Sequence, residues 1–111
     1  MFDCSKQGSV FVLSGNEPLT RDHVQDLSVV SGQCFSQGQP KIVLSLQEVP
    51  LLDSAGLELL LDLRDRCLQR GGVLQLVAPN ALCREMLQAT DVAREFAIFD
   101  DVITAVGSFS Q

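Results

Sequence analysis

One histidine, eight basic residues and no long apolar run narrow the chemistry open to this chain. Serine hydrolysis needs a base within hydrogen-bond reach, usually a histidine held by an acid. The single histidine, His23, lies between Asp22 and Val24 and reads as a surface residue of the first helix. No G-x-S-x-G elbow, P-loop, G-x-G-x-x-G or cluster of metal ligands is present, so neither catalysis nor a cofactor is expected. Asp53 has no second acid placed beside it by sequence, so a glycosidase-type carboxylate pair is also missing. Eight Lys and Arg against fourteen Asp and Glu leave a net charge of −6, with no basic patch to meet nucleic acid or an anionic membrane. No window approaches the ~18 apolar residues of a membrane span. The first six residues, MFDCSK, lack the basic start and apolar run of a signal peptide, so a cytoplasmic protein without membrane insertion is expected. Cys4, Cys34, Cys67 and Cys83 are far apart and form no C-x-x-C pair. Cys34 and Cys67 fall on apolar helical positions, where a free thiol behaves as a small buried hydrophobe.

What is present describes one globular α/β domain over residues 1–111, with its core in about 8–106. At 111 residues and 46% apolar content, the chain is long enough for a single ordinary core. A first strand is read at Phe2 to Lys6 and a clearer one at Val10 to Leu13, ended by Ser14-Gly15-Asn16. From Pro18 to about Gln37 a helix is expected, with Val24, Leu27, Val30 and Cys34 on one stripe. Lys41 to Leu46 is a short, partly β-branched apolar run after Gly38-Gln39-Pro40 and reads as a buried strand. A helix from about Ala55 to Arg70, closed by Gly71-Gly72, leads into another strand at Val73 to Val77. Pro79-Asn80 then opens a short helix, and the Phe96-Ala97-Ile98-Phe99 segment leads to a last one ending near Val106. Strand, helix, strand, helix, strand is the grammar of a sheet with crossover helices.

Between the strand at Lys41 and the following helix stand Asp53-Ser54-Ala55-Gly56-Leu57. Ser54 falls at or near the N-cap, where a hydroxyl accepts from an unpaired backbone N–H. The same place suits a phosphate, because free amides and the positive end of the helix dipole converge there. Gly56 weakens the first turn relative to alanine, and a close approach of another backbone would account for it. On a helical wheel, Glu58, Asp62, Asp65, Arg66 and Gln69 occupy roughly 100°. The other ~200° carries Leu57, Leu59, Leu60, Leu61, Leu63, Cys67 and Leu68, interrupted only by Arg64. Packing on a sheet needs a stripe of about 100°. The surplus leucines are therefore either exposed to a partner or covered by neighbouring helices. Arg64, Arg66 and Arg70 alternate with Glu58, Asp62 and Asp65 and read as a salt-bridged solvent face.

This order of elements around an Asp53-Ser54-Ala55-Gly56-Leu57 turn resembles the STAS domain, the family of anti-sigma-factor antagonists and of the cytoplasmic tails of sulfate transporters. The resemblance runs from about Gly8 to Val106. It implies a mixed central sheet of four to five strands with about four helices mainly on one face. It also implies a regulator that binds a serine kinase acting as anti-sigma factor and is switched off by phosphorylation of Ser54. Asp53, Ser54, Ala55, Gly56 and Leu57 would line the docking surface, with Leu61 and Glu17 beside them. Pro18 stands where the family's kinase-facing acid is expected, with Glu17 its nearest substitute. The family also offers two other roles: a non-catalytic subunit docked on the ATPase of a lipid-trafficking ABC transporter, or a scaffold module of a signalling complex. A soluble kinase-like partner would mark the first role, a membrane-associated ABC ATPase the second.

Overall fold

The computed structural model describes residues 1–36 and 38–109. Five strands form one sheet in chain order: β1 (Phe2–Gln7), β2 (Val10–Gly15), β3 (Lys41–Ser45), β4 (Val73–Val77) and β5 (Ile98–Phe99). β1 and β2 are an antiparallel hairpin, and β2 to β5 run parallel. Parallel neighbours need crossovers, and three helices supply them: α1 (Val24–Ser31), α2 (Ser54–Gln69) and α3 (Ala81–Ala89). A fourth, α4 (Val102–Ser108), follows β5.

The period-2 alternation of the strands sorts the core into two layers. Leu13, Ile42, Leu44, Leu74 and Leu76 point to one face and pack with Leu27, Cys34, Leu57, Leu60, Leu63, Cys67, Cys83 and Leu87 from the three crossover helices and their ends. Val10, Val12, Val43 and Val77 point to the other face, which Ala105 of α4 covers, together with the half-buried Val102 and Val106. There the buried Gln75 donates to Ser108 Oγ at 2.9 Å, which satisfies a polar group that would otherwise be costly to enclose. Three helices on one face and one on the other give the mixed α/β arrangement expected from the sequence.

The first helix departs from expectation. Helical backbone begins at Val24, not Pro18, and gives way after Ser31 to a 3₁₀ turn over Gly32–Phe35. Gln37, the expected end, lies outside the described residues. Leu19 is fully buried and forms an isolated parallel bridge with Leu52, so this stretch of backbone is extended rather than helical. Tertiary pairing of one leucine thus overrides the helix-start signal of Pro18. His23, expected on the helix surface, is its half-exposed N-cap residue, with ring nitrogens 3.6 Å from Glu17 and from Asp26.

α2 ends as its glycines require. Gly72 N–H donates to Cys67 O and Gly71 N–H to Leu68 O, while Gly71 takes φ +74°, which together make a Schellman motif. Its leucines are mostly covered. Leu57, Leu60, Leu63 and Cys67 are buried, Leu59 and Leu61 are half-buried against the core, and Leu68 alone stays 56% exposed. The arginines of α2 are not a uniform salt-bridged face. Arg64 pairs with Asp65 at 2.8 Å and Glu95 at 2.6 Å. Arg66 instead lies over the Phe35 ring at 4.1 Å, and Arg70 donates to Phe35 O at 2.7 Å. Both tie α2 to the 3₁₀ turn after α1.

Candidate functional site

α2 begins at Ser54, one residue earlier than its sequence pattern suggested, and this changes the role of the serine. The N-cap is Asp53, with extended backbone and a carboxylate that accepts from Gly56 N–H at 3.0 Å. Its other oxygen accepts from the backbone N–H of Arg21 at 3.0 Å. These two amide donors hold the Asp53 carboxyl below the usual carboxylate range, the Arg21 bond contributing most. A carboxylate therefore occupies the position assigned in sequence to the Ser54 hydroxyl. Ser54 becomes the first helical residue, exposed to solvent, with no side-chain hydrogen bond among the described residues.

The loop after β2 forms the wall of this site. Leu19 N–H donates to Leu51 O at 2.9 Å, and Leu19 O accepts from Asp53 N–H at 3.3 Å. The Leu19 carbonyl lies where a β-carbon on Gly56 would have to go, so glycine is required there by the approach of another backbone. On the far side, Asn80 caps α3 by accepting from Cys83 N–H at 2.8 Å. Its Nδ2 donates to Pro50 O at 3.1 Å. The turn between β3 and α2 is thus held from both flanks, at the C-terminal end of the parallel strands where α/β folds place their sites.

The residues named in advance separate into two groups. Asp53 and Ala55 are half-buried and Ser54 is exposed, so all three reach the surface. Gly56 and Leu57 are buried behind the turn, Leu57 in the main core. Leu61 is half-buried two turns along α2. Glu17 lies on the wall loop, with a half-exposed side chain near His23. Ala55 also edges a shallow cleft between α1 and α2, bounded by Val24, Ser28, Glu58, Leu59 and Asp62. Sequence reasoning missed Leu19 and Arg21. Aspartate ranks with serine as an N-cap, so Asp53 was legible as the cap, but nothing local marks Arg21 as the donor to it 32 positions away.

Among the described residues no three histidine, cysteine or acidic side chains come together to hold a metal ion. No described helix is long and apolar enough to cross a membrane.

A family model described as the STAS domain matches residues 2–105. No curated protein sequence matches the chain. Among solved structures, a Thermotoga maritima protein assigned to the anti-sigma-factor antagonists is similar at 24% identity. The alignment has a TM-score of 0.91 and covers 99% of this chain and 95% of that one. The anti-sigma-factor antagonist SpoIIAA in its unphosphorylated form is similar at 16% identity, TM-score 0.84, covering 99% and 96%. A murine solute-carrier anion transporter in the inward-facing state shares the fold over 92% of this chain and 18% of its own length, at 16% identity and TM-score 0.80.

Proposed function

This chain belongs to the STAS domain family, and we propose that it is a non-catalytic, anti-sigma-factor-antagonist-like regulator whose partner is a serine kinase that also serves as anti-sigma factor. In this reading it works in the cytoplasm and is switched by phosphorylation of Ser54. The observation that carries it is the division of labour at the start of α2: Asp53 caps the helix, and Ser54 is left exposed with no structural hydrogen bond. A hydroxyl that stabilises nothing is available for modification without cost to the fold. Phosphorylation adds about −1.5 to −2 of charge beside Asp53. That charge repels an acidic partner surface or is left unpaired against an apolar one. Asp53, Ser54 and Ala55 form the centre of the docking face, with Gly56 and Leu57 as its buried support. Leu61 and Glu17 lie at its margin.

The test is affinity capture from the native organism's lysate, detergent included, with wild type and Ser54→Asp as baits and mass spectrometry of what is retained. A soluble ATP-binding serine kinase held by wild type and lost from Ser54→Asp supports the switch; equal retention on both baits overturns it.

One observation favours a second reading. The acid expected to face the kinase is replaced by Pro18, and the nearby Glu17 carboxylate lies against the ring of His23. On that reading the protein is a STAS subunit docked on the ATPase of a lipid-trafficking ABC transporter. A membrane-associated ABC ATPase retained equally by both baits is its signature.

A further inference from the structure

A phosphate on Ser54 would enter crowded negative surroundings. The Asp53 carboxylate already takes the Gly56 amide at the positive end of α2, Glu58 stands one turn along, and Asp22 is on the adjoining loop. Of the eight basic residues, most are committed or distant. Lys6 lies over the Phe11 ring, Arg64 is paired with Asp65 and Glu95, and Arg66 and Arg70 serve Phe35. Lys41 starts β3, at the opposite end of that strand from the turn, and Arg94 lies in the 3₁₀ turn beyond α3. Arg21 and Arg84 remain, and of the two only Arg21 is bonded to Asp53 itself. Its backbone N–H is bonded to Asp53 Oδ2 at 3.0 Å, which fixes its α-carbon beside the residue preceding Ser54. Its side chain is exposed and enters none of the ion pairs found among the described residues.

We propose that Arg21 is the positioning residue that clamps the phosphate once Ser54 carries one. This rests on the reading of Ser54 as a phosphorylated residue and adds the cation which that reading lacks. The planar guanidinium fork matches two phosphate oxygens, and charge-assisted bonds of this kind are the strong ones. The loop bond to Asp53 holds Arg21 close before the phosphate arrives, so little of the loop must be ordered to make the contact.

The test uses the full chain with phosphoserine installed at position 54 by genetic encoding, so no kinase is needed. Phosphorus-31 NMR then follows the second phosphate ionisation, ordinarily near a pKa of about 6. Arg21→Gln is expected to raise that value by about half a unit or more, Arg21→Lys by less, and Arg84→Gln not at all. No change in Arg21→Gln, or an equal rise in Arg84→Gln, overturns the assignment. Amide fingerprint spectra confirm that each variant is folded, as expected for an exposed side chain. Failure to find phosphate on Ser54 in protein from its own cells would instead remove the switch reading and leave this titration unaffected.

Discussion

At residues 53 and 54 two side-chain oxygens of similar reach can serve the same amide, and the carboxylate holds it. Asp53→Ala is therefore expected to lower stability by about 1–2 kcal/mol in urea unfolding, and Ser54→Ala by less than about 0.5 kcal/mol. The reverse ranking would return the cap to Ser54. Acid sensitivity gives an independent check, because the folded-state pKa of Asp53 is depressed. Stability from such a group is complete above its unfolded-state value of about 3.9 and is lost as the pH falls through the folded-state value. The stability gap between wild type and Asp53→Asn should thus be constant near neutrality and close below about pH 4. At Gly56, alanine would ordinarily strengthen a helix by up to about 1 kcal/mol. Here its methyl meets the Leu19 carbonyl, and the Gly56→Ala variant is expected to lose about 1–3 kcal/mol instead.

Among the elements, α2 was the most legible. Its leucine-rich arc, its glycine stop and its place between two apolar strands all agree, and the helix lies within a residue of its expected bounds. Leu60→Ala should cost about 2–5 kcal/mol and Leu68→Ala close to nothing, since one is fully enclosed and the other faces solvent. α1 was misread because its start depends on Leu19 pairing with Leu52, a contact that joins positions 33 apart and leaves no local trace. Arg66 and Arg70 illustrate the same limit. Their spacing on the helix suggested partners on α2, whereas both are used by Phe35 on the neighbouring segment. The candidate site was readable as a place but not as a mechanism. The turn and the serine were visible, and the cap assignment needed only aspartate to be weighed equally with serine. The wall built by Leu19 and Arg21 required the fold.

For the molecule as a whole, the thiols report how firmly the main core is closed. Burial pushes the Cys34 thiol up to about 12 and that of Cys67 to about 11, and raises Cys83 as well. Thiolate is the reactive form, so these three should resist an aromatic disulfide reagent at pH 8 until the chain unfolds, whereas half-exposed Cys4 reacts in the native state. Peptide mapping after brief labelling checks this. Rapid labelling of Cys34 without denaturant would mean that the 3₁₀ turn after α1 opens independently of the sheet. The two faces of that sheet also differ in when they can be completed. α1, α2 and α3 all precede β5 in the chain, so the helices of the leucine-lined face emerge first. The valine face of Val10, Val12, Val43 and Val77 waits for α4, the last described element to emerge. Until then a growing chain presents a bare apolar sheet surface beside the β1 edge, and its most vulnerable moment is set by the order of translation.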